Sequence, residues 1–144
     1  MPALVYPQFS LKMMGYNFLI PIRFCNPHKD IYSNVWLCML DTGAHTSVIP
    51  QSITLETGHR LHGGKEGVPL QAAWGDAEKV YHHTFALEIM QPDDHSKVAY
   101  TLPEMLYDCT ESDQHAQTIL GAENFLRFFR IEFDYHTKQV TLHR

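Results

Sequence analysis

One carboxylate stands between two apolar runs in the first half of the sequence. Residues 37–40 lead into Asp41, Thr42 and Gly43, and a second apolar stretch at residues 48–50 follows. An unpaired carboxylate away from water is costly, so an acid on a tight loop between two buried strands either faces solvent or takes part in chemistry. Gly43 allows a sharp turn, and the Thr42 hydroxyl can hydrogen-bond nearby backbone. Taken alone, the tripeptide fits an ordinary strand-turn-strand segment, the more common meaning of so short a motif.

Far downstream of the Asp41 region, another apolar segment ends in a glycine. Ile119 and Leu120 are followed by Gly121 and then by residues 122–129, in which four apolar side chains predict a helix that packs on a sheet. Residues 130–135 are predicted to return as a strand. The segment therefore predicts a strand, a glycine, a helix and a second strand in that order.

Together the two segments resemble the retropepsin-like aspartic proteases. The resemblance rests on the Asp-Thr-Gly-Ala loop at 41–44, on the Ile-Leu-Gly sequence at 119–121 with the helix after it, and on their order and separation. It spans roughly residues 18–142, and the terminal hairpin is similar to the end of a pepsin lobe. The resemblance implies an all-β fold: one closed, barrel-like half of an acid protease with a short C-terminal helix, paired as a two-fold dimer.

The family resemblance also implies a catalytic arrangement. Peptide hydrolysis of this type needs two carboxylates that share a proton, one acting as base toward water and the other as acid toward the carbonyl oxygen. The chain contains a single Asp-Thr-Gly sequence and so supplies only one of the two carboxylates. The resemblance therefore implies a homodimer in which the Asp41 residues of the two subunits lie together at a two-fold axis. Thr42 is expected to brace the two loops, and Gly43 to leave room for a polypeptide substrate.

A flap is the third feature that the resemblance implies, since a mobile hairpin that closes over substrate is a recurrent way to complete a catalytic site. Residues 68–74 and 78–85 are extended stretches around a Gly-Asp turn and predict such a hairpin, with its tip near Trp74 and Gly75. A glycine-rich loop at 63–64 is the alternative position, and Trp74 could instead cap a hydrophobic edge. The expected substrate-binding residues are Ala44, His45, Ala73, Trp74, Gly75, Asp76 and Ile119.

His45 departs from the family pattern, in which Ser or Asp is more usual after the alanine. The departure could alter the polarity of the loop, or it could be a harmless exposed side chain. It leaves room for an alternative function: a catalytically inactive dimerisation or peptide-binding module with the same fold.

Length, charge and cysteine content narrow the remaining possibilities. The 144 residues predict one domain, at 16–144, after an N-terminal arm or edge strand at 1–15. The net charge of -5 shows no excess of basic residues that could bind a polyanion, so no nucleic-acid partner is expected. No secretory signal or membrane-spanning segment is evident. An odd number of cysteines, three, predicts reduced thiols and a cytoplasmic location.

The ten histidines raise the question of a metal site. His59 and His62 are three residues apart, and His82 and His83 are adjacent, but no Cys pair or His-Glu-x-x-His motif accompanies them. We therefore expect no metal and no cofactor.

The other predicted elements are strands and turns. Strands are expected at 16–24, 35–40, 85–90, 98–102 and 138–142, one helical turn at 52–55, and a solvated acidic loop at 107–117.

Overall fold

The computed structural model describes residues 3–11, 15–71, 77–113 and 117–144, and most of these residues are in β-strands. The strands are β1 (Leu4–Leu11), β2 (Gly15–Asn26), β3 (Ile31–Leu40), β4 (Val48–Ile49), β5 (Lys65–Glu66), β6 (Val80–Met90), β7 (Val98–Thr110), β8 (Ile119–Leu120), β9 (Arg130–Asp134) and β10 (Gln139–His143). A short α-helix, α1 (Gln51–Glu56), and 3-10 helices at Leu61–Gly63 and Leu126–Phe128 complete the described elements. No helix in these ranges is long and apolar enough to cross a membrane. The predicted all-β fold class is confirmed.

The strands form one sheet with the order β5-β6-β7-β4-β8-β3-β2-β1-β10-β9, and β6 also pairs with β2. The central strands are short: β8 lies between β3, which it pairs in parallel, and β4, which it pairs antiparallel. This order brings the two sequence motifs onto neighbouring strands. The pairing of two subunits and the closure of a barrel stay predictions.

The core is built from the alternating inward side chains of the long strands. On β6, Phe85, Leu87 and Ile89 are fully buried while the residues between them are partly exposed. They pack in one cluster with inward residues of β2 such as Ile22 and Phe24. Period-two alternation is what a strand with one face on the core requires, and this packing fixes the register of the strands that carry the site.

β2 and β3 form a hairpin, and Asp41 directly follows the last residue of β3. The turn of the hairpin spans residues 27–30 and ends at Asp30 with φ of 55°, a left-handed conformation that Asp tolerates better than most residues. The two strands pair from Asn26 opposite Ile31 to Leu19 opposite Met39. The last residues of β3 are therefore held on one side by β2 and on the other by β8.

Two segments differ from the sequence prediction. Residues 107–110 belong to the long strand β7 and not to a solvated loop, because Tyr107 and Cys109 point into the core and only the intervening Asp108 is partly exposed. Residues 122–129 form turns and a three-residue 3-10 helix in place of an α-helix. Phe125 has φ of -136° and ψ of -63°, outside the helical region, so an α-helix cannot run through it.

The N-terminal segment is incorporated into the sheet. Leu4 to Pro7 pair with β10, and the rest of β1 pairs with β2. Tyr6 is buried, and its hydroxyl donates a 2.7 Å hydrogen bond to the Met90 carbonyl. The division of the chain at residue 15 stays a prediction, but β1 has a partner strand at each of its ends.

Candidate active site

The turn that carries Asp41 begins where β3 leaves the sheet. The Met39 amide donates to the Thr118 carbonyl at 2.8 Å, and the Asp41 amide donates to the Leu120 carbonyl at 3.1 Å. These bonds extend the parallel pairing of β3 and β8 by one residue. As a result, the Asp-Thr-Gly and Ile-Leu-Gly sequences lie side by side although they are far apart in the chain.

Backbone groups of the same turn orient the Asp41 carboxylate. The Gly43 amide donates to Asp41 Oδ1 at 2.9 Å, and the Ala44 amide donates to the Asp41 carbonyl at 3.2 Å. Asp41 is partly exposed, and Thr42 and Gly43 are exposed. A buried scaffold thus presents one ordered carboxylate at the surface of the protomer.

The loop after Asp41 is clamped by the segment after β8. The Ala122 amide donates to the Ala44 carbonyl at 3.0 Å, and the Glu123 amide donates to the His45 carbonyl at 2.9 Å. The Gly121 amide donates to the buried Ser47 Oγ at 2.8 Å. These three bonds hold residues 44–47 against the Gly121 turn.

Gly121 is required by close backbone approach. A Cβ at this position would lie 2.4 Å from the carbonyl carbon of Thr46 and 2.5 Å from its oxygen. No side chain fits there without moving backbone. The glycine therefore sets the distance between the two loops.

Asn124 ties three segments together from a buried position. Its Oδ1 accepts the Ser47 amide at 2.9 Å, and its Nδ2 donates to the Leu106 carbonyl on β7 at 3.1 Å. The Asn124 carbonyl also accepts the Tyr107 hydroxyl at 3.4 Å. The side-chain amide of Asn124 uses one donor and one acceptor to fix residues 41–47, which we call the active loop, to the sheet.

We expect Asn124→Ala to lower the free energy of unfolding by about 1–3 kcal/mol, because it leaves the buried Ser47 N–H and the partly buried Leu106 carbonyl without this partner. Chemical denaturation of the wild type and the variant measures the loss. Gln117→Ala is the matched control, since Gln117 also donates to a backbone carbonyl, that of Leu37, but at an exposed bond. A loss no greater than that of the control would show that Asn124 does not join these segments.

A polar chain runs from the active loop to β6. Thr46 Oγ1 donates to Asp108 Oδ2 at 2.9 Å, and the other carboxylate oxygen lies 3.0 Å from His82 Nε2. Asp108 and His82 face each other across β7 and β6, and the His82 ring packs on Gly67, where a Cβ would lie 2.4 Å from Nε2. The chain links the base of the β5-β6 hairpin to the loop that follows Asp41.

A hairpin of β5 and β6 lies in the region where a flap is predicted, and its role as a flap stays a prediction. β5 pairs with β6 with Lys65 opposite His82, and further out Leu70 and Glu78 exchange two backbone hydrogen bonds of 2.8 Å each. The predicted tip residues Ala73, Trp74, Gly75 and Asp76 lie outside the described residues. Their contacts with substrate stay predictions.

The other predicted site residues fall in one place. Ala44 and His45 continue the Asp41 turn, with Ala44 half-buried and His45 exposed. Ile119 is half-buried on β8, paired with Met39 on one side and with Val48 on the other. Their assignment to substrate binding stays a prediction.

The histidines and cysteines outside this loop form no second reactive centre among the residues described. No group of three or more His, Cys, Asp or Glu there could hold a metal ion. The three cysteines are buried and free, and burial raises the pKa of the Cys109 thiol to about 12. A buried thiol of this kind stays protonated and is a poor nucleophile.

Comparison with known proteins gives no match to a family model and no match to a curated protein. Solved structures do match. A retropepsin-like aspartic protease from Rickettsia conorii aligns with a TM-score of 0.66 and 15% identity over 99% of both chains. The retroviral protease-like domain of Ddi1 from Leishmania major aligns with a TM-score of 0.52 and 12% identity, over 89% of this chain and 94% of that domain. The chain has a retropepsin-like fold.

Proposed function

We propose that the protein is an aspartic endopeptidase that hydrolyses peptide bonds between the Asp41 carboxylates of two identical subunits. The observation that supports the proposal most strongly is the Asp41 turn. Its carboxylate is ordered by the Gly43 amide yet partly exposed, and Thr42 beside it is exposed. Each protomer thus presents one oriented carboxylate, which is half of the pair that the reaction needs.

The reaction follows from two carboxylates that hold one proton between them. The ionised Asp41 removes a proton from a water molecule, whose oxygen forms a bond to the scissile carbonyl carbon, while the protonated Asp41 donates to the carbonyl oxygen. Collapse of the tetrahedral intermediate breaks the C–N bond: the carboxyl that took the water proton gives it to the leaving amine, and a hydroxyl of the intermediate returns a proton to the other Asp41. Two adjacent carboxylates repel each other when both are ionised, and sharing one proton removes this repulsion.

Substrate binding would involve the β5-β6 hairpin and the active loop. An extended polypeptide that lies between them can add backbone hydrogen bonds as a further strand, while pockets select alternate side chains. Ala44, His45 and Ile119 would form the floor of this cleft. The hairpin tip, with Trp74, would cover the peptide from the other side.

Cleavage of an unbiased peptide library from acidic to neutral pH tests the activity. We expect cuts within extended peptides that a statine-type transition-state mimic blocks. Sedimentation of the same sample tests the assembly, and we expect a dimer at the concentrations used for the assay. If folded, dimeric protein cuts nothing, the protein is a binding module and not a protease; if it is fully active as a monomer, the shared site is wrong.

A further inference from the structure

A cavity with no residue of the Asp41 turn in its lining lies where four parts of the chain meet. It has a volume of about 240 Å³ and is lined by Lys29, Gly58, His59, Arg60, Gly63 and His83. These residues come from the β2-β3 turn, the segment after α1, the first 3-10 helix and β6. We call it the cationic cavity.

The charge of the lining is opposite to that of the whole protein. The chain has 16 acidic residues against 11 lysines and arginines, yet the lining holds a lysine, an arginine and two histidines and no carboxylate. None of the ion pairs among the described residues involves Lys29 or Arg60. The lining therefore carries two permanent positive charges, on Lys29 and Arg60, and no carboxylate.

Donor groups remain available in the lining. Lys29 Nζ donates one hydrogen bond, at 2.8 Å to the Gly58 carbonyl, and an ammonium has two more N–H groups to give. Arg60 is exposed, and its guanidinium carries five N–H groups in a planar fork that matches carboxylate and phosphate oxygens. Lys29 and Arg60 both line the cavity, and each has N–H groups to give to an anion.

The two histidines of the lining are each held by a backbone carbonyl. His59 Nε2 lies 2.9 Å from the Thr84 carbonyl, and His83 Nε2 lies 2.7 Å from the Leu61 carbonyl. Carbonyl oxygens only accept, so each Nε2 carries its hydrogen. The ring centroids are 4.7 Å apart.

Burial lowers the pKa of His59, and the nearby His83, Lys29 and His28 lower it further, while the hydrogen bond to the Thr84 carbonyl raises it. No carboxylate is among these influences. An anion in the cavity would supply the missing opposite charge and raise this pKa.

From the cavity, its charge and its donors, we propose that the cationic cavity binds a small oxyanion, a phosphate-type or carboxylate group, held by Lys29 and Arg60. The site is separate from the Asp41 turn and does not depend on the protein being a protease. Binding favours the protonated form of His59.

Titration of the intact protein with inorganic phosphate, followed by NMR of the backbone and histidine rings, tests the proposal. We expect saturable shifts confined to residues around 29, 58–63 and 83. Arg60→Gln and Lys29→Gln should each weaken binding about tenfold, the effect of losing one charge-assisted hydrogen bond. Lys97→Gln is the control, because it removes the same charge from an exposed lysine beside Asp94. Thermal unfolding checks that all variants are folded.

A second readout uses sulfate, which keeps its charge through the titration range of histidine. The pKa of His59 should rise in saturating sulfate relative to chloride at equal ionic strength, and Arg60→Gln should reduce the rise. Acetate distinguishes the source of the group: saturation by acetate as well as phosphate indicates a general oxyanion site, and saturation by phosphate alone indicates a phosphate site. Shifts that do not saturate, or an affinity that Arg60→Gln and Lys29→Gln change no more than Lys97→Gln, would overturn the proposal.

Discussion

Asp41→Asn should lower the rate of peptide cleavage by about a thousandfold or more while the protein remains folded and dimeric. The loss follows because an amide can neither take a proton from water nor share one with the partner carboxylate, and such a group contributes two to four orders of magnitude. The fold should survive, since the Asn side-chain oxygen can still accept the Gly43 amide that Asp41 Oδ1 accepts at 2.9 Å. The measurement is kcat/KM for one peptide from the library, with a thermal melt of each sample.

Asp93→Asn is the matched control for this variant, because Asp93 is exposed and loses the same charge. Its activity should equal that of the wild type. If Asp41→Asn and Asp93→Asn cleave equally well, cleavage in the sample comes from another group or from a contaminant.

Gly121→Ala should be the most damaging single-methyl change at the site. The added Cβ would lie 2.4 Å from the Thr46 backbone, and a clash with backbone cannot be relieved by rotating a side chain. Overpacking of this kind costs about 1–3 kcal/mol and occasionally more; we expect at least about 3 kcal/mol, or a fall in Tm of about 10 °C. Cleavage should fall as well, because the backbone movement that relieves the clash separates the active loop from the Gly121 turn.

The control for the glycine is Gly63→Ala, whose Cβ would meet only the Arg60 Cβ at 3.4 Å. That is an ordinary side-chain contact, so the Tm should change little. Equal melting of the two variants would mean that the Gly121 turn can relax, and that the spacing of the two loops does not depend on this residue.

The turn that carries Asp41 and the Gly121 segment beside it could be predicted from the sequence better than the contacts that hold them. Each ends an apolar strand, and their order and separation resemble those of the retropepsin-like aspartic proteases. Asn124 was missed because its partners are backbone groups of Ser47 and Leu106, which no spacing in the sequence reveals.

The two errors of secondary structure had different causes. Acidic residues at 108, 111 and 113 made residues 107–117 look solvated, yet Tyr107 and Cys109 on either side of Asp108 are buried. Their alternation was a strand signal that the charges obscured. The helix at 122–129 was predicted from its apolar residues alone, but Phe125 takes a non-helical conformation and is fully buried, so tertiary packing overrides the local pattern.

The polar chain from Thr46 through Asp108 to His82 was missed because residues 107–117 were predicted to form a solvated loop. With 107–117 taken as a loop, Asp108 counted as surface charge, and His82 was considered only as a possible metal ligand beside His83. Once β7 is extended to Thr110, Asp108 lies opposite His82. The register of two long strands decides this contact, and that register follows from the core.

Subunit mixing tests the central claim most directly. Wild-type and Asp41→Asn subunits are mixed in equal amounts, exchanged by co-refolding, and assayed at fixed total concentration. If each active site needs Asp41 from both subunits, only wild-type pairs cleave, and random pairing leaves about one quarter of the wild-type activity. Activity of about one half, in proportion to the wild-type subunits present, would contradict the account, because each chain would then carry a complete site of its own.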